Sequence, residues 1–172
     1  MEAGLGLKCP AMEAEAPGRV IAIIGRPNVG KSSIFNRIAG RPLSIVHSDR
    51  GVTRDRLIRA VTWEGHHFEL IDTGGIETDT DEPMAVAIRQ QVLAAIEEAD
   101  VLVFLVDGKA GVHPMDQRIA EILRRSERPV VLVVNKMDRL PEDMGHHDFW
   151  VLGLGEPLPV SAISGKGSGD VL

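Results

Sequence analysis

The sequence predicts an α/β fold: a mostly parallel six-stranded sheet with one antiparallel edge strand and flanking helices. Three apolar runs rich in β-branched residues, at 20–24, 101–106 and 130–134, lead directly into polar or glycine residues. Buried parallel strands have this pattern. Helical patterns lie between the runs, as expected when helices connect parallel strands.

The remaining three strands are shorter or alternate in polarity. Segments 57–62 and 66–71 alternate and are separated by Trp63-Glu64-Gly65, which predicts a hairpin and hence the antiparallel edge. Segment 158–160 predicts a short last strand.

Three helices are predicted from periodicity and proline placement. One begins near Pro83, which suits a helix start, and its apolar residues recur at helical spacing: Met84, Ile88, Val92, Ile96 and Ala99. A second opens at Pro114, with four apolar residues on its inward face: Met115, Ile119, Ile122 and Leu123. A short third helix spans 32–39.

Five polar or glycine residues directly follow predicted strands: Gly25, Asp72, Asp107, Asn135 and Ser161. Ligands of open α/β sheets bind at the carboxyl ends of the strands. These five residues are therefore expected to meet on one rim of the sheet. For Asp107 we expect loop contacts, with no part in catalysis.

A glycine-rich loop follows the first strand and fits the pattern G-x-x-x-x-G-K-[ST], whose backbone amides cradle phosphates at a helix N-terminus. Lys31 is expected to contact the β- and γ-phosphates, and the Ser32 hydroxyl to ligate Mg²⁺. The predicted phosphate contacts are Gly25, Arg26, Pro27, Asn28, Val29, Gly30, Lys31, Ser32 and Ser33.

A D-x-x-G element follows the third strand and suits a metal and γ-phosphate site. It consists of Asp72, Thr73, Gly74 and Gly75. Asp72 is expected to hold a Mg²⁺-bound water, and Gly75 to offer its amide to the γ-phosphate. Thr53, in Gly51-Val52-Thr53, is expected to complete the Mg²⁺ shell from a loop that becomes ordered with the γ-phosphate.

An N-K-x-D element follows the fifth strand and is typical of guanine recognition. Asp138 can accept hydrogen bonds from the N1–H and the exocyclic amine of guanine, whereas adenine has a different donor pattern. Asn135 can bond the purine and the phosphate loop, and the stem of Lys136 can pack on the ring. After the last strand, Ser161 precedes Ala162, whose amide is expected to meet the guanine O6.

Together these elements resemble the TRAFAC-class GTPases of the Era-like group, and more closely the first G domain of the Der (EngA) family. The phrases that carry the resemblance are GRPNVGKSSIFNRIAG, GVTRDR, IDTGGIE, NKMDRL and WVLGLGEPLPVSAISGKG. The resemblance implies a P-loop NTPase G domain that binds GTP, GDP and Mg²⁺, hydrolyses GTP slowly, and serves assembly of the large ribosomal subunit.

The same resemblance implies a domain organisation. Residues 1–18 are expected to form a disordered leader, in which Met12 is an alternative start to Met1, and residues 19–172 a G domain. Its C-terminal helix is expected to be incomplete, which would expose apolar surface, and the family's second G domain and KH-like domain to be absent.

The resemblance leaves open which residues would promote GTP hydrolysis. Ile76 stands where many GTPases have a water-orienting Gln, which implies weak intrinsic catalysis. In several relatives an Asn at the position of Asn28 coordinates K⁺, so we expect Asn28 either to do this or to brace the loop. Arg26 and Arg54 are candidates for transition-state charge, although surface ion pairs are the simpler expectation. Arg50 replaces the family's usual Pro before Gly-Val-Thr, which leaves that loop's conformation open.

Charge and cysteine content restrict the partners and the compartment. The net charge of −6 argues against nonspecific coating of nucleic acid. Residues 37–59 nevertheless carry six arginines and two aspartates, a local +4, so this patch could touch ribosomal RNA or be a solvated loop. Cys9 is the only cysteine, so a reducing cytoplasm is expected. No apolar run approaches the roughly 20 residues that span a bilayer.

Two competing functions stay open besides a GTP-hydrolysing switch. A nucleotide-gated binding module with negligible hydrolysis is compatible with Ile76. An ATP-using phosphotransferase is disfavoured by Asn135 and Asp138. No cluster of cysteines or carboxylates joins either histidine pair, 66–67 or 146–147, so a metal site is not expected there.

Overall fold

A sheet of six strands organises the part of the chain that the computed structural model describes, which is residues 18–39, 57–63, 66–73, 83–139, 146–167 and 171. The strands are β1 (Arg19–Ile24), β2 (Leu57–Trp63), β3 (His66–Asp72), β4 (Val101–Asp107), β5 (Val130–Asn135) and β6 (Leu158–Pro159). Their order is β2-β3-β1-β4-β5-β6. Only β2 and β3 pair antiparallel, so the predicted fold class is confirmed.

Helices cover both faces of this sheet. They are α1 (Lys31–Ala39), α2 (Met84–Glu98) and α3 (Pro114–Arg124). Two 3₁₀ segments follow, Met137–Arg139 and His147–Leu152. The buried side chains of α1 pack on one face, and those of α2 and α3 on the other.

Strand β4 shows how the apolar runs divide between two cores. Leu102, Phe104 and Val106 pack with α2 and α3, whereas Val103 and Leu105 pack with α1. All five are at most 1% exposed. Successive side chains of a strand point to opposite faces, so a central strand covered on both sides must be apolar throughout. Each such side chain contributes about 1.5–3 kcal/mol by leaving water.

The predicted hairpin is present, and each of its strands is one residue longer than expected. Trp63, expected in the turn, pairs with His66, and Asp72 pairs with Leu57; residues 64–65 lie outside the described ranges. The last strand ends at Pro159, one residue earlier than predicted.

The apolar repeat of α2 extends one turn beyond its buried stripe. Ile88 and Val92 are buried together with Ala87 and Ala95, but Met84 is 64% exposed. A groove of about 400 Å³ separates the start of α2 from α3 and is lined by Val86 and Ile119, among others. Val86 in the same turn is 41% exposed, so one side of the first turn of α2 faces outward.

Helix α3 begins at a cap that the sequence did not lead us to expect. The ring of His113 accepts a hydrogen bond from the Met115 amide, and Asp116 accepts one from the His113 amide. Pro114 at the first position loses nothing by lacking an N–H. This reciprocal arrangement satisfies two amides that the helix leaves unpaired.

Most of the residues at the two ends of the chain lie outside the described ranges. Residues 1–17 and the expected C-terminal helix, apart from Val171, are not among the described residues. Val171 itself is 8% exposed and packs with the core on the α1 side of the sheet. None of the helices in the described ranges is long and apolar enough to cross a membrane.

Candidate nucleotide-binding site

The residues at the carboxyl ends of β1, β3, β4, β5 and β6, or just after them, meet at one edge of the sheet. The strand order places β1 between β3 and β4, with β5 and β6 beyond. The loop after β1 therefore stands at the centre, flanked by Asp72 on one side and by Asp107 and Asn135 on the other. This is the arrangement expected from the sequence, and hydrogen bonds join its parts.

The glycine-rich loop between β1 and α1 folds around the ammonium group of Lys31. Its Nζ donates to the carbonyls of Gly25, at 2.9 Å, and Arg26, at 2.8 Å. Lys31 is 7% exposed. Burial lowers its pKa; the carboxylate of Asp72 opposes this and the charge of Arg26 adds to it. The loop thus holds a buried cation at the N-terminus of a helix, where anions bind favourably.

Gly30 allows the loop to touch Asn135, at the end of β5. Its φ is +99°, and a Cβ on it would collide with the side-chain amide of Asn135. A larger residue there would be strained twice, by its backbone and by this contact. Pro27 and Asn28 are exposed, whereas Val29 is fully buried.

Ser32 and Asp72 form a paired oxygen site beside Lys31. The Ser32 hydroxyl donates to Oδ2 of Asp72 at 3.0 Å, and Asp72 is 1% exposed. Thr73, next to it, donates its hydroxyl to the carbonyl of Ile23 at 2.7 Å and so fixes the end of β3. A hydroxyl and a carboxylate fit a hard, oxygen-seeking cation such as Mg²⁺. Ser33, also a predicted contact, is exposed.

Asn135 links three parts of the site. Its Nδ2 donates to the carbonyl of Val29 at 2.9 Å, and its Oδ1 accepts from the Ala162 amide at 3.0 Å. The side chain is buried. The predicted tether to the phosphate loop is therefore present. The Ala162 amide, which we expected to be available for a base, donates to Asn135.

Lys136 and Asp138 are both joined to the loop after β4. Nζ of Lys136 donates to Oδ2 of Asp107 at 2.5 Å and to the carbonyl of Asn28 at 2.8 Å. Oδ1 of Asp138 lies 3.5 Å from Nζ of Lys109. Burial alone would raise the pKa of Asp107, but the hydrogen bonds from Lys136 and the loop amides outweigh it and lower the pKa. The expectation that Asp107 contacts loops is confirmed.

The segment after β6 is fixed by α1. The guanidinium of Arg37 donates to the carbonyls of Ala162, at 2.9 Å, and Ile163. Ser161 is 1% exposed, and its hydroxyl accepts from the Ser164 amide at 3.2 Å. Ser161 therefore shapes its own turn, which places the neighbouring Ala162 against Asn135.

Arg26 forms an ion pair, as expected, but the pair is largely buried and does not lie on the surface. Its Nε lies 3.2 Å from Oδ1 of Asp116, whose side chain is fully buried. Burial raises the pKa of Asp116, which the His113 amide and Arg26 only partly offset. The pattern His-Pro-x-Asp at a helix start was the signal that could have identified Asp116 as a cap.

Several predicted residues lie outside the described part of the chain. Thr53, Gly74 and Gly75 are among them, as are Arg54 and Ile76. Within the described ranges, no three His, Cys, Asp or Glu side chains form a group that could hold a metal ion.

Comparison with known proteins gives one family. Residues 20–136 match the model of the 50S ribosome-binding GTPase family. GTPase Der of Moorella thermoacetica is 51% identical over 156 residues, which are 91% of this chain and 36% of that protein. GTPase Der of Latilactobacillus sakei is 55% identical over 153 residues, 89% of this chain and 35% of that protein. The chain thus spans about a third of the length of these relatives.

Solved structures agree with this assignment. Era in complex with MgGDPNP and nucleotides 1506–1542 of 16S ribosomal RNA is 28% identical, with a TM-score of 0.63 over 87% of this chain and 52% of that one. The FeoB G domain from Methanococcus jannaschii is 25% identical, with a TM-score of 0.62 over 90% of this chain and 93% of that one. From its sequence match and its fold, this chain belongs to the 50S ribosome-binding GTPase family.

Proposed function

We propose that this chain binds GTP and GDP with Mg²⁺ and hydrolyses GTP to GDP and phosphate. The observation that carries the proposal is the bridge made by Asn135, which joins the phosphate loop through Val29 to the base-reading segment through Ala162. A nucleotide has its base and phosphates at opposite ends, so a site for it needs two subsites held at a fixed separation. Asn135 supplies that fixed separation.

The phosphate subsite is the loop from Gly25 to Ser33. Its amides and the N-terminus of α1 would face the phosphates, and Lys31 would exchange its carbonyl partners for phosphate oxygens. Ser32 would ligate Mg²⁺, with Asp72 acting through a bound water, and the metal would neutralise charge on the phosphates. Thr53 and Gly75 keep the roles predicted from the sequence, as part of the proposal.

The base subsite is formed by the segments after β5 and β6. Asp138 would accept the two N–H donors of guanine, and the stem of Lys136 would lie against the ring. The Ala162 amide would have to share its hydrogen with Asn135 to reach O6. Adenine would leave the Asp138 carboxylate without its donors, which would cost about 1–3 kcal/mol or more, so we expect ATP to bind weakly.

We further propose a role in assembly of the large ribosomal subunit in the cytoplasm, with ribosomal RNA as a partner. The support is the likeness to proteins named GTPase Der and to Era, which was crystallised with a fragment of 16S ribosomal RNA. The arginine-rich segment 37–59 is the candidate RNA contact; of its arginines, Arg37 and Arg59 lie within the described residues. Ribosome profiles of cells depleted of the protein would test this role: loss of large subunits would support it and unchanged profiles would contradict it.

The enzymatic part is tested by GTP turnover of the purified chain in matched K⁺ and Na⁺ buffers, with GDP and ATP affinities measured in parallel. Turnover above background with tight GDP and weak ATP binding supports the proposal. Tight GDP binding with no turnover in either salt supports a nucleotide-gated binding module, which Ile76 favours. Equal affinity for ATP and GDP contradicts guanine recognition.

A further inference from the structure

The loop after β4 (residues 108–110) runs alongside residues 136–138, which follow β5. Asp107 lies opposite Asn135 as the last pair of β4 and β5, and the Gly108 amide then donates to the Asn135 carbonyl at 2.8 Å. Two ion pairs join the segments beyond this point, Asp107 with Lys136 and Lys109 with Asp138, each one residue out of the strand register. The close approach of the two segments brings these charges together.

Gly108 permits this close approach. A Cβ at this position would lie 2.5 Å from the sulfur of Met137 and 3.0 Å from the carbonyl oxygen of Asn135. Oδ1 of Asp107 also accepts from the Lys109 amide at 2.9 Å, which fixes the backbone from which the lysine side chain projects. Lys109 thus reaches Asp138 from a defined backbone position.

The distance between Lys109 and Asp138 is that of an ion pair without a close hydrogen bond. At 3.5 Å the ammonium is within ion-pair range but beyond the usual 2.7–3.2 Å hydrogen-bond distance. A carboxylate offers about four acceptor positions, so the N–H donors of a base can bind beside this charge. The Lys109 side chain is 46% exposed and that of Asp138 20% exposed, so solvent reaches the pair and screens it.

A bound base would change that screening. It would displace water from Asp138 and lower the local dielectric constant, which strengthens attraction between nearby charges. An interaction that is stronger in the bound state than in the free state contributes to affinity. We propose that Lys109 is a positioning residue for guanine recognition, which holds the Asp138 carboxylate oriented for the base. The proposal rests on the proposed function of this site.

The test compares GDP with inosine diphosphate, which lacks the exocyclic amine that Asp138 would bind. Calorimetric titrations would use the wild-type chain, Lys109→Met, Lys109→Arg, and the charge-matched control Arg118→Met on an exposed position of α3. We expect Lys109→Met to raise the Kd for GDP about three- to fivefold, the range of an exposed ion pair. The Kd for inosine diphosphate should rise less. Lys109→Arg should keep GDP affinity, and Arg118→Met should change neither ligand.

Ionic strength gives a second readout. Raising it from about 0.1 M to about 1 M shortens the screening length from about 10 Å to about 3 Å, so the ratio of the Lys109→Met and wild-type Kd values should move towards one. An equal loss for both diphosphates would mean that Lys109 only supports the loop, and tighter GDP binding would mean that it competes with the base. Either result overturns the proposal. A wild-type chain that binds neither diphosphate would instead contradict the proposed function.

Discussion

Asn28 adopts a backbone conformation that few side chains tolerate. Its φ is +66°, and its carbonyl accepts from Nζ of Lys136. Asparagine is among the residues that enter this left-handed region most readily. Its exposed side chain makes no hydrogen bond within the described residues, so a bracing role of the amide, the alternative considered from the sequence, finds no support in that part of the chain.

The K⁺ hypothesis for Asn28 can therefore be tested without adding strain. Asn28→Gly removes the side chain and keeps the left-handed backbone accessible. If the amide oxygen coordinates K⁺, this variant should lose the faster GTP turnover in K⁺ over Na⁺ and keep its affinity for GDP. Steady-state phosphate release in both salts measures this. Undiminished K⁺ stimulation in the variant would rule Asn28 out as the ligand.

The burial of Lys31 should make the stability of the nucleotide-free chain depend on pH. Burial lowers its pKa in the folded chain, while the unfolded value is about 10.4. Between these two values the unfolded state binds more protons, so the free energy of unfolding should rise with pH in that window. Lys31→Met removes the titrating group and should flatten this rise. Urea unfolding of the nucleotide-free chain from about pH 8 to pH 10 compares the slopes; parallel slopes would contradict the prediction.

At the scale of elements, the start of α3 is tied to the phosphate loop. Asp116 caps the helix through the His113 amide and also meets Arg26, 90 residues earlier in the chain. Nη2 of Arg26 is buried and has no hydrogen-bond partner among the described residues. The carboxylate is thus the main polar partner of a guanidinium that has little access to water.

Asp116→Ala should therefore destabilise the domain by about 2–4 kcal/mol, because it removes a cap and leaves a largely buried charge unpaired. Gln117→Ala, an exposed neighbour on α3, is the matched control and should change stability by about 0.5 kcal/mol or less. Urea denaturation provides both values. Equal effects of the two substitutions would mean that the Arg26 pair is not needed for stability.

The periodicity of apolar residues predicted the positions of the helices and strands well. It predicted less well which of their residues are buried. β-Branched runs identify strands because such side chains suit a pleated, buried surface, and β4 and β5 appear where expected. Met84 fits the repeat of α2 equally well yet is exposed. Burial requires a neighbour in space as well as a pattern along the chain, and no described element covers Met84.

For the whole molecule, nucleotide binding should raise the free energy of unfolding. A ligand that binds only the folded state at about 100 times its Kd adds about 2.7 kcal/mol. For a domain of this size that corresponds to a rise in Tm of about 5–10 °C. GDP with Mg²⁺ should give this shift, ATP should not, and EDTA should reduce it through the Ser32–Asp72 site. Thermal unfolding measures all three conditions, and equal shifts from ATP and GDP would refute guanine selectivity.

The sequence by itself determined the strands, most of the helix positions, and the loops that carry the candidate chemistry. These features depend on local propensity and on spacing that a single segment contains. Only the tertiary structure decided how the loops are joined. The Asn135–Val29 bond spans 106 residues and the Lys136–Asn28 bond 108, and both exist because the strand order places only β4 between β1 and β5. Arg26 with Asp116 and Lys109 with Asp138 belong to the same class: no local pattern specifies a partner, because side chains distant in sequence meet only where the sheet brings their strand ends together.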